Sequence, residues 1–311
     1  MEDRGRIGIV GAGLVGSSWA VVFARAGFDV HVYDTSETIR DGVAEQCREN
    51  LARLAQEGLL REDANDVARR IRVVPTLREA VAGARYVQES VREELDAKIA
   101  VARDIAEALD DGAVVGSSTS GFPASAFTAD LERRARFLVV HPVNPPHLVP
   151  VVEIVPAPWT ATDAVEAARD LMTVVGQRPV TVRREIDGFI LNRLQGALLD
   201  EAWRLYAGGY ASIEDIDATI SHGLGMRWSF IGPFETIDLN APEGLADYAE
   251  RLAPMYRRIA DTRPAVEPWD ADAVAAAHAE RRAAVPAQNL ADRRAWRDDM
   301  LLRFLARFRE Q

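Results

Sequence analysis

RIGIVGAGLVGSSWAVVFARAGFDVHVYD, residues 6–34, decides the fold. A short apolar run (Ile7, Ile9, Val10) meets Gly11-Ala12-Gly13-Leu14-Val15-Gly16, which opens an amphipathic segment reaching Ala26. Gly27 stops that helix, and Asp29 to Tyr33 make a second strand ending at Asp34. Each glycine has its own task in a strand-turn-helix of this kind. Gly11 permits a tight turn, Gly13 lets a pyrophosphate approach the backbone, and Gly16 lets the helix pack closely on the strand. The helix start offers unpaired N–H groups and a positive dipole end. A carboxylate at Asp34 accepts hydrogen bonds from ribose hydroxyls and repels a 2′-phosphate, so the expected cofactor is NAD rather than NADP. The glycine pattern alone also serves purely structural turns; its strand, helix and terminal acid make the functional reading.

The other features of the chain narrow the class. With 311 residues, 48% hydrophobic and 27% charged, it has an ordinary globular composition and room for two domains. A formal net charge of −11 argues against nucleic acid or an anionic membrane surface as the main partner. The single cysteine, Cys47, has no intrachain partner and reads as a partly buried helix residue. No run approaches the roughly 20 apolar residues that cross a bilayer, and MEDRGR lacks a signal-peptide pattern, so a cytoplasmic location is expected.

Strands and helices alternate from Ile7 to about Arg184. After Asp34, Thr35 and Ser36 offer an N-cap for a long polar-rich helix, and with the charged segment to Arg70 this reads as a helical hairpin standing out from the sheet. Further strands are expected at Ile71 to Val74, Ala84 to Ser90, Ala113 to Ser120, Arg136 to His141, Val149 to Val155 and Pro179 to Arg183. Helices are expected at Glu94 to Leu109 and Thr162 to Val175. The result is an α/β chain with a Rossmann-type, doubly wound, mostly parallel sheet. Beyond Glu185 to Gly188 only helical patterns remain, which predicts an NAD-binding domain over 1–185 and an all-α substrate and dimerisation domain over 186–311. In the latter, Phe189 to Tyr206 is apolar on most faces and reads as a central helix buried against neighbours or a second subunit. Helices follow at Ala241 to Ile259, Trp269 to Ala284 and Asp292 to Phe308.

Four polar side chains interrupt apolar surroundings. His141 ends a strand, Glu153 sits within Val151-Val152-Glu153-Ile154-Val155, Asn192 lies in the apolar helix, and Ser120 follows a strand end. An unpaired carboxylate among valines is costly to bury. A neutral histidine takes a proton from an alcohol, and a carboxylate on its other ring nitrogen stabilises the cation that forms. Beside a hydride acceptor, that is alcohol oxidation. Each residue also has a bland reading: a satisfied structural histidine, an ion pair, a helix-helix hydrogen bond, a helix cap. The five histidines show no metal-ligand spacing, and no GxSxG elbow is present.

These residues resemble the 3-hydroxyacyl-CoA dehydrogenase superfamily across nearly the whole chain. GAGLVG with Asp34, VQES with Glu93 and Lys98, SSTS, HPVNPPHLVPVVEIVP and DGFILNRLQ occur in the family's order and at similar spacing. Within it, HPVNPP in place of HFFNP, EAWRL, GLGMRWSFIGPFET and RRAWRDDM resemble the L-gulonate 3-dehydrogenase branch, also called lambda-crystallin. The resemblance implies His141 as base, Glu153 as its partner, and Ser120 and Asn192 as groups holding the reacting oxygen and substrate. It implies cofactor contacts at Leu14 and Val15, Asp34, Ser90, Glu93, Lys98 and Asn144, beside Gly11, Gly13 and Gly16. The implied reaction is NAD-dependent oxidation of a 3-hydroxy group, with L-gulonate giving 3-dehydro-L-gulonate, in a homodimer joined through the helical domain. An acidic sugar needs a cationic anchor, for which Arg227 is the candidate, its bland reading being a surface or interface arginine. A 3-hydroxyacyl-CoA dehydrogenase, a carnitine-type dehydrogenase and a non-catalytic structural protein that keeps its cofactor stay open.

Overall fold

The computed structural model describes residues 4–308. Among these, eight strands form one sheet in the order β3-β2-β1-β4-β5-β6-β7-β8. They are β1 (Arg6–Val10), β2 (Asp29–Tyr33), β3 (Ile71–Val73), β4 (Ala84–Glu89), β5 (Val114–Ser117), β6 (Phe137–Pro142), β7 (Val151–Pro156) and β8 (Arg178–Thr181). The ladders are parallel except for β6 with β7, which run antiparallel. The chain reverses its strand order between β1 and β4, so the ends of these two strands flank the crevice where ligands gather in open α/β sheets.

Helices cover both faces. On one side α1 (Leu14–Arg25) buries Trp19, Ala20, Val21, Val22 and Phe23 completely. Trp19 stacks on Phe23 at 5.5 Å between ring centroids, and Phe23 meets Tyr86 of β4 at 5.8 Å. Full burial of such side chains contributes about 1.5–3 kcal/mol each. The next helix, α2 (Glu37–Gln56), is capped by the Ser36 hydroxyl and followed by the short α3 (Ala64–Ala68). This pair forms the expected helical hairpin but is docked on the sheet unit rather than standing out from it. Val43, Cys47, Leu51 and Leu54 lie on one helical stripe and are buried in the same core as Trp19 and Phe23. A stripe of four side chains suffices to dock a helix whose other faces stay polar. Burial pushes the Cys47 thiol up to about 12, leaving it inert as a nucleophile. The opposite face carries α4 (Leu77–Val81), α5 (Leu95–Ala108) and α6 (Ala124–Thr128), with Ile105, Phe127, Phe137 and Phe189 in a second core. The helix α7 (Thr162–Val174) links β7 to β8 and joins the first core through Ala164, Ala168, Leu171 and Met172.

The chain divides into two compact units. One comprises residues up to Arg193 together with those from Arg294 onward, and the other comprises Leu194–Arg293. Beyond the sheet come α8 (Leu191–Ala207), α9 (Ile213–Thr219), α10 (Gly225–Trp228), α11 (Pro233–Leu239), α12 (Leu245–Asp261), α13 (Ala271–Ala284) and α14 (Leu290–Phe308). Although the sequence places 186–311 in one helical domain, most of α14 belongs to the sheet unit, where Leu302 is buried in the first core. Arg53 of α2 holds it by an ion pair with Asp299 at 2.7 Å. In the helical unit, Trp203 packs on Trp269 at 5.0 Å, and Arg204 donates to the carbonyls of Pro264 and Val266. Three helices start later than the apolar pattern implies, α8 among them, at Leu191 rather than Phe189. Gly244, at φ +80°, delays α12 to Leu245, and the Asp270 cap starts α13 at Ala271. No described residue of α8 is buried, so its apolar face is not used within this chain as a central core helix would use it. Among the described residues no helix is long and apolar enough to cross a membrane.

Candidate active site

The turn after β1 has the shape a dinucleotide requires. Gly11 takes φ +92°, and a Cβ there would lie 2.5 Å from the Ser90 carbonyl. At Gly16 a Cβ would fall 1.8 Å from the Gly11 carbonyl oxygen, so only glycine permits this approach of helix to turn. Gly13 differs, since nothing lies within 4 Å of its Cβ position. The backbone there is bare on the side where a pyrophosphate would rest. Leu14 and Val15 open α1 directly after it, presenting first-turn amides without a side-chain cap. Asp34 accepts from the Ala12 amide through Oδ2 and from the Ser36 amide through Oδ1, both at 2.8 Å. The carboxylate is thereby fixed beside the glycine turn, with lone pairs left for ribose hydroxyls. These residues fit NAD.

His141 and Glu153 are cross-strand partners in the β6–β7 ladder. Their Nδ1 and Oε2 atoms are 2.8 Å apart, and both side chains are buried. The second carboxylate oxygen, Oε1, accepts from the amides of Ile190 at 2.8 Å and Leu191 at 3.0 Å, where α8 begins. Gly188 and Phe189, at φ +74° and +51°, turn the chain so that these amides face the carboxylate. The Phe189 ring is fully buried and packs on His141 with 5.5 Å between centroids. Burial works to raise the Glu153 pKa, but the bonds from His141, Leu191 and Ile190 prevail and hold it below the usual carboxylate range. A carboxylate oxygen at Nδ1 favours the tautomer that carries its proton there, which leaves Nε2 as the acceptor.

Ser120 stands in a loop rather than in the strand expected over Ala113 to Ser120, because β5 ends at Ser117 and the chain turns into Glu93. Glu93 Oε1 accepts from Thr119 Oγ1 at 2.7 Å, Ser120 N at 2.8 Å, Gly121 N at 2.9 Å and Ser120 Oγ at 3.2 Å. Its Oε2 faces Lys98 Nζ at 3.3 Å. Against burial, the Thr119 hydroxyl, Lys98 and the loop amides hold the Glu93 carboxyl below its ordinary range. Asn192, in the first turn of α8, donates through Nδ2 to the Ser120 carbonyl at 2.7 Å. Thus Ser120, Glu93, Lys98 and Asn192 form one connected group, and His141 with Glu153 forms a second tied to the start of the same helix.

The remaining candidates are placed unevenly. Ser90 follows β4, and its hydroxyl shares a hydrogen bond with that of Ser118 at 2.8 Å. Asn144 is exposed in the loop after β6. Lys98 is 1% exposed, so in this structure its ammonium is spent on carboxylates. Arg227 belongs to the helical unit, exposed on α10 and acting electrostatically on Tyr248, whose hydroxyl bonds that of Tyr256. Sequence reasoning passed over Glu89, Thr119 and Phe189. Glu89 carried a usable signal, being a carboxylate at the end of an apolar strand as Glu153 is in its own; Phe189 carried none, since a phenylalanine before a helix reads as ordinary core.

Comparison with known proteins agrees with this arrangement. The chain matches the model of the 3-hydroxyacyl-CoA dehydrogenase NAD binding domain over residues 6–186 and that of the C-terminal domain over 188–286. It is 40% identical over 311 residues to lambda-crystallin of Oryctolagus cuniculus, covering 99% of this chain and 97% of that one. It is 38% identical to the L-carnitine dehydrogenase of Streptomyces griseus over 81% of this chain and 75% of the other. Among solved structures, the NAD+ dependent dismutase 5-formyl-3-hydroxy-2-methylpyridine 4-carboxylic acid 5-dehydrogenase superimposes with a TM-score of 0.77 at 30% identity, over 87% of this chain and 86% of that one. Glycine turn, ribose acid and two-domain match agree, and the chain is an NAD-dependent hydroxy-acid oxidoreductase that belongs to the 3-hydroxyacyl-CoA dehydrogenase family.

Proposed function

We propose that the protein oxidises the 3-hydroxy group of a small, free hydroxy acid, with L-gulonate as substrate and 3-dehydro-L-gulonate as product. The observation that carries the chemistry is the buried His141–Glu153 pair at 2.8 Å. Nε2 of His141 takes the proton of the substrate hydroxyl, and Glu153 stabilises the resulting imidazolium through Nδ1. Ser120 and Asn192 orient the hydroxyl oxygen and, as the bond to carbon becomes a carbonyl, polarise it. The Gly11–Gly16 turn and Asp34 would hold NAD, with Ser90, Glu93, Lys98 and Asn144 as further contacts, and the bound nicotinamide would supply the hydride acceptor. The leading substrate rests on the branch-specific segments and on the similarity to lambda-crystallin over nearly the full chain. Arg227 is the proposed anchor for the substrate carboxylate, its planar fork suiting that group. Exposure of Leu194 and Leu198 on α8 supports pairing of two copies through the helical unit.

NADH formation with L-gulonate, compared with L-3-hydroxybutyryl-CoA and L-carnitine, tests the reading. Turnover of L-gulonate that disappears in His141→Ala is expected. A preference for the thioester or for L-carnitine overturns the substrate, and NAD binding without turnover of any 3-hydroxy acid overturns the enzyme role. Arg227→Ala should raise KM for the acid; an unchanged KM removes Arg227 from the site.

A further inference from the structure

Glu89 closes β4 at 3% exposure and has no part in the proton transfer described above. Its Oε1 accepts from the Val91 amide at 2.7 Å and from Lys98 Nζ at 3.2 Å. Its Oε2 accepts from the Ser117 hydroxyl and, at 3.4 Å, from the same ammonium. Lys98 then meets Glu93, and Glu93 holds Thr119, Ser120 and Gly121. A continuous set of charged and hydrogen-bonded contacts therefore runs from the buried end of β4 through Lys98 and Glu93 to Ser120 and on to Asn192.

Two features give Glu89 a directing role in that set. Its bond to Val91 ties down the connection leading into α5, two residues ahead of Glu93. Its charge also shares a single ammonium with Glu93, so the position of Lys98 is a balance between two anions. We propose that Glu89 is a positioning residue for the reaction: by holding Lys98 and the Val91 amide it sets where Glu93 presents its carboxylate, and thereby fixes the loop that carries Ser120. The role in turnover rests on the reading of Ser120 and His141 as the reacting site.

Each neighbour donates to Glu89, and Lys98, which faces both of its oxygens, cannot accept. A glutamine in its place turns an NH2 group toward Lys98 with either Val91 N or Ser117 Oγ, whichever way the amide lies. Lys98, left with one anion, is drawn to Glu93 and competes with the loop for that carboxylate.

The experiment compares wild type, Glu89→Gln, Glu89→Asp, Glu93→Gln and the double variant Glu89→Gln/Glu93→Gln. Hydrogen exchange is read on peptides covering residues 117–123, and kcat, KM and NAD affinity are measured with whichever 3-hydroxy acid the wild type turns over. Exchange of the Ser120 and Gly121 amides should rise in Glu89→Gln while the core strands stay protected. kcat should fall about tenfold or more, a loss typical of slight misplacement of a reacting group, and NAD affinity reports whether the cofactor contacts proposed at Glu93 and Lys98 move with the loop. Glu89→Asp, which keeps the charge, should recover part of the loss. The double variant should be no slower than Glu93→Gln alone, because both changes act through one loop. Unchanged loop exchange, or rate losses that multiply in the double variant, overturns the proposal. If Glu89→Gln fails to fold, loop exchange in Glu89→Asp decides in the same way. Should the wild type oxidise no 3-hydroxy acid, the functional reading fails separately, and loop exchange still decides whether Glu89 holds Ser120 in place.

Discussion

His141 and Glu153 face each other across the antiparallel ladder between β6 and β7, with Nδ1 2.8 Å from Oε2. The reversed direction of β7 makes this meeting possible. Parallel strands all deliver their last residues to one edge of a sheet, whereas an antiparallel strand delivers its first ones there. His141 comes near the end of β6 and Glu153 near the start of β7, so base and carboxylate arrive at the edge where the glycine turn also lies.

Glu153→Gln separates the two duties of this carboxylate. Both oxygens accept, one from His141 and the other from Ile190 and Leu191, but an amide has a single acceptor oxygen. If the glutamine serves the helix start, its NH2 faces Nδ1 and imposes the wrong tautomer. If it serves His141, two amides lose their partner. We expect kcat to fall roughly 10²- to 10⁴-fold, the range seen when a base loses its orienting carboxylate, and stability to fall by about 1–3 kcal/mol. Steady-state kinetics and urea unfolding on one preparation measure both; kcat within twofold of wild type refutes the assigned pairing.

Gly13 and Gly16 should respond in opposite ways to the same added methyl group. Nothing lies near the Gly13 Cβ position, so Gly13→Ala should keep the wild-type Tm while weakening NAD binding, because the methyl occupies the face the pyrophosphate approaches. Gly16→Ala places its Cβ 1.8 Å from the Gly11 carbonyl oxygen and should lower Tm as well as NAD affinity. Thermal scans with and without NAD distinguish them. Equal Tm losses in the two variants contradict the geometry.

The alternation of strands and helices, the glycine turn and the odd polar residues in apolar strands were legible because each leaves a local imprint. Glu153 is conspicuous among valines, and His141 closes a run of buried strand residues. What a local pattern leaves open is its partner. The polar residues of α2 mask the four-residue stripe that docks it beside Trp19, and the helical pattern of α14 does not reveal that Leu302 returns to the sheet unit. Likewise Ser118 to Ser120 read as strand because hydroxyls tolerate that conformation, while Glu93, distant in sequence, withdraws Ser120 into a loop.

His147 predicts an acid-sensitive step in stability. Its Nδ1 lies 2.6 Å from the Ser18 hydroxyl, and burial, reinforced by the charge of Arg25, lowers its pKa to about 4 from 6.5. Above about pH 6.5 neither the folded nor the unfolded chain protonates this ring, and its contribution is complete. Between 6.5 and 4 the unfolded chain takes up a proton that the folded one refuses, so stability falls as pH falls, by about 3 kcal/mol across the window. Glu93 and Glu153, both held below their ordinary range, act with the same sign at lower pH. Urea unfolding from pH 7 to 4 should show a shallower decline for His147→Gln than for wild type. Parallel curves would refute the assignment.

Phe189 combines a left-handed backbone with a fully buried ring packed on His141. Removing the ring should cost about 3–5 kcal/mol, as for other core phenylalanines, and should lower kcat by loosening His141. The backbone adds a second, opposite effect. At φ +51° an alanine keeps the strain of a Cβ in the left-handed region, whereas glycine does not. Phe189→Gly should therefore be more stable than Phe189→Ala by about 1 kcal/mol, reversing the usual order in which glycine is the weaker of the two. Chemical denaturation of both variants reads the sign directly, and an alanine variant more stable than the glycine one would mean that residue 189 leaves the left-handed region once its ring is gone.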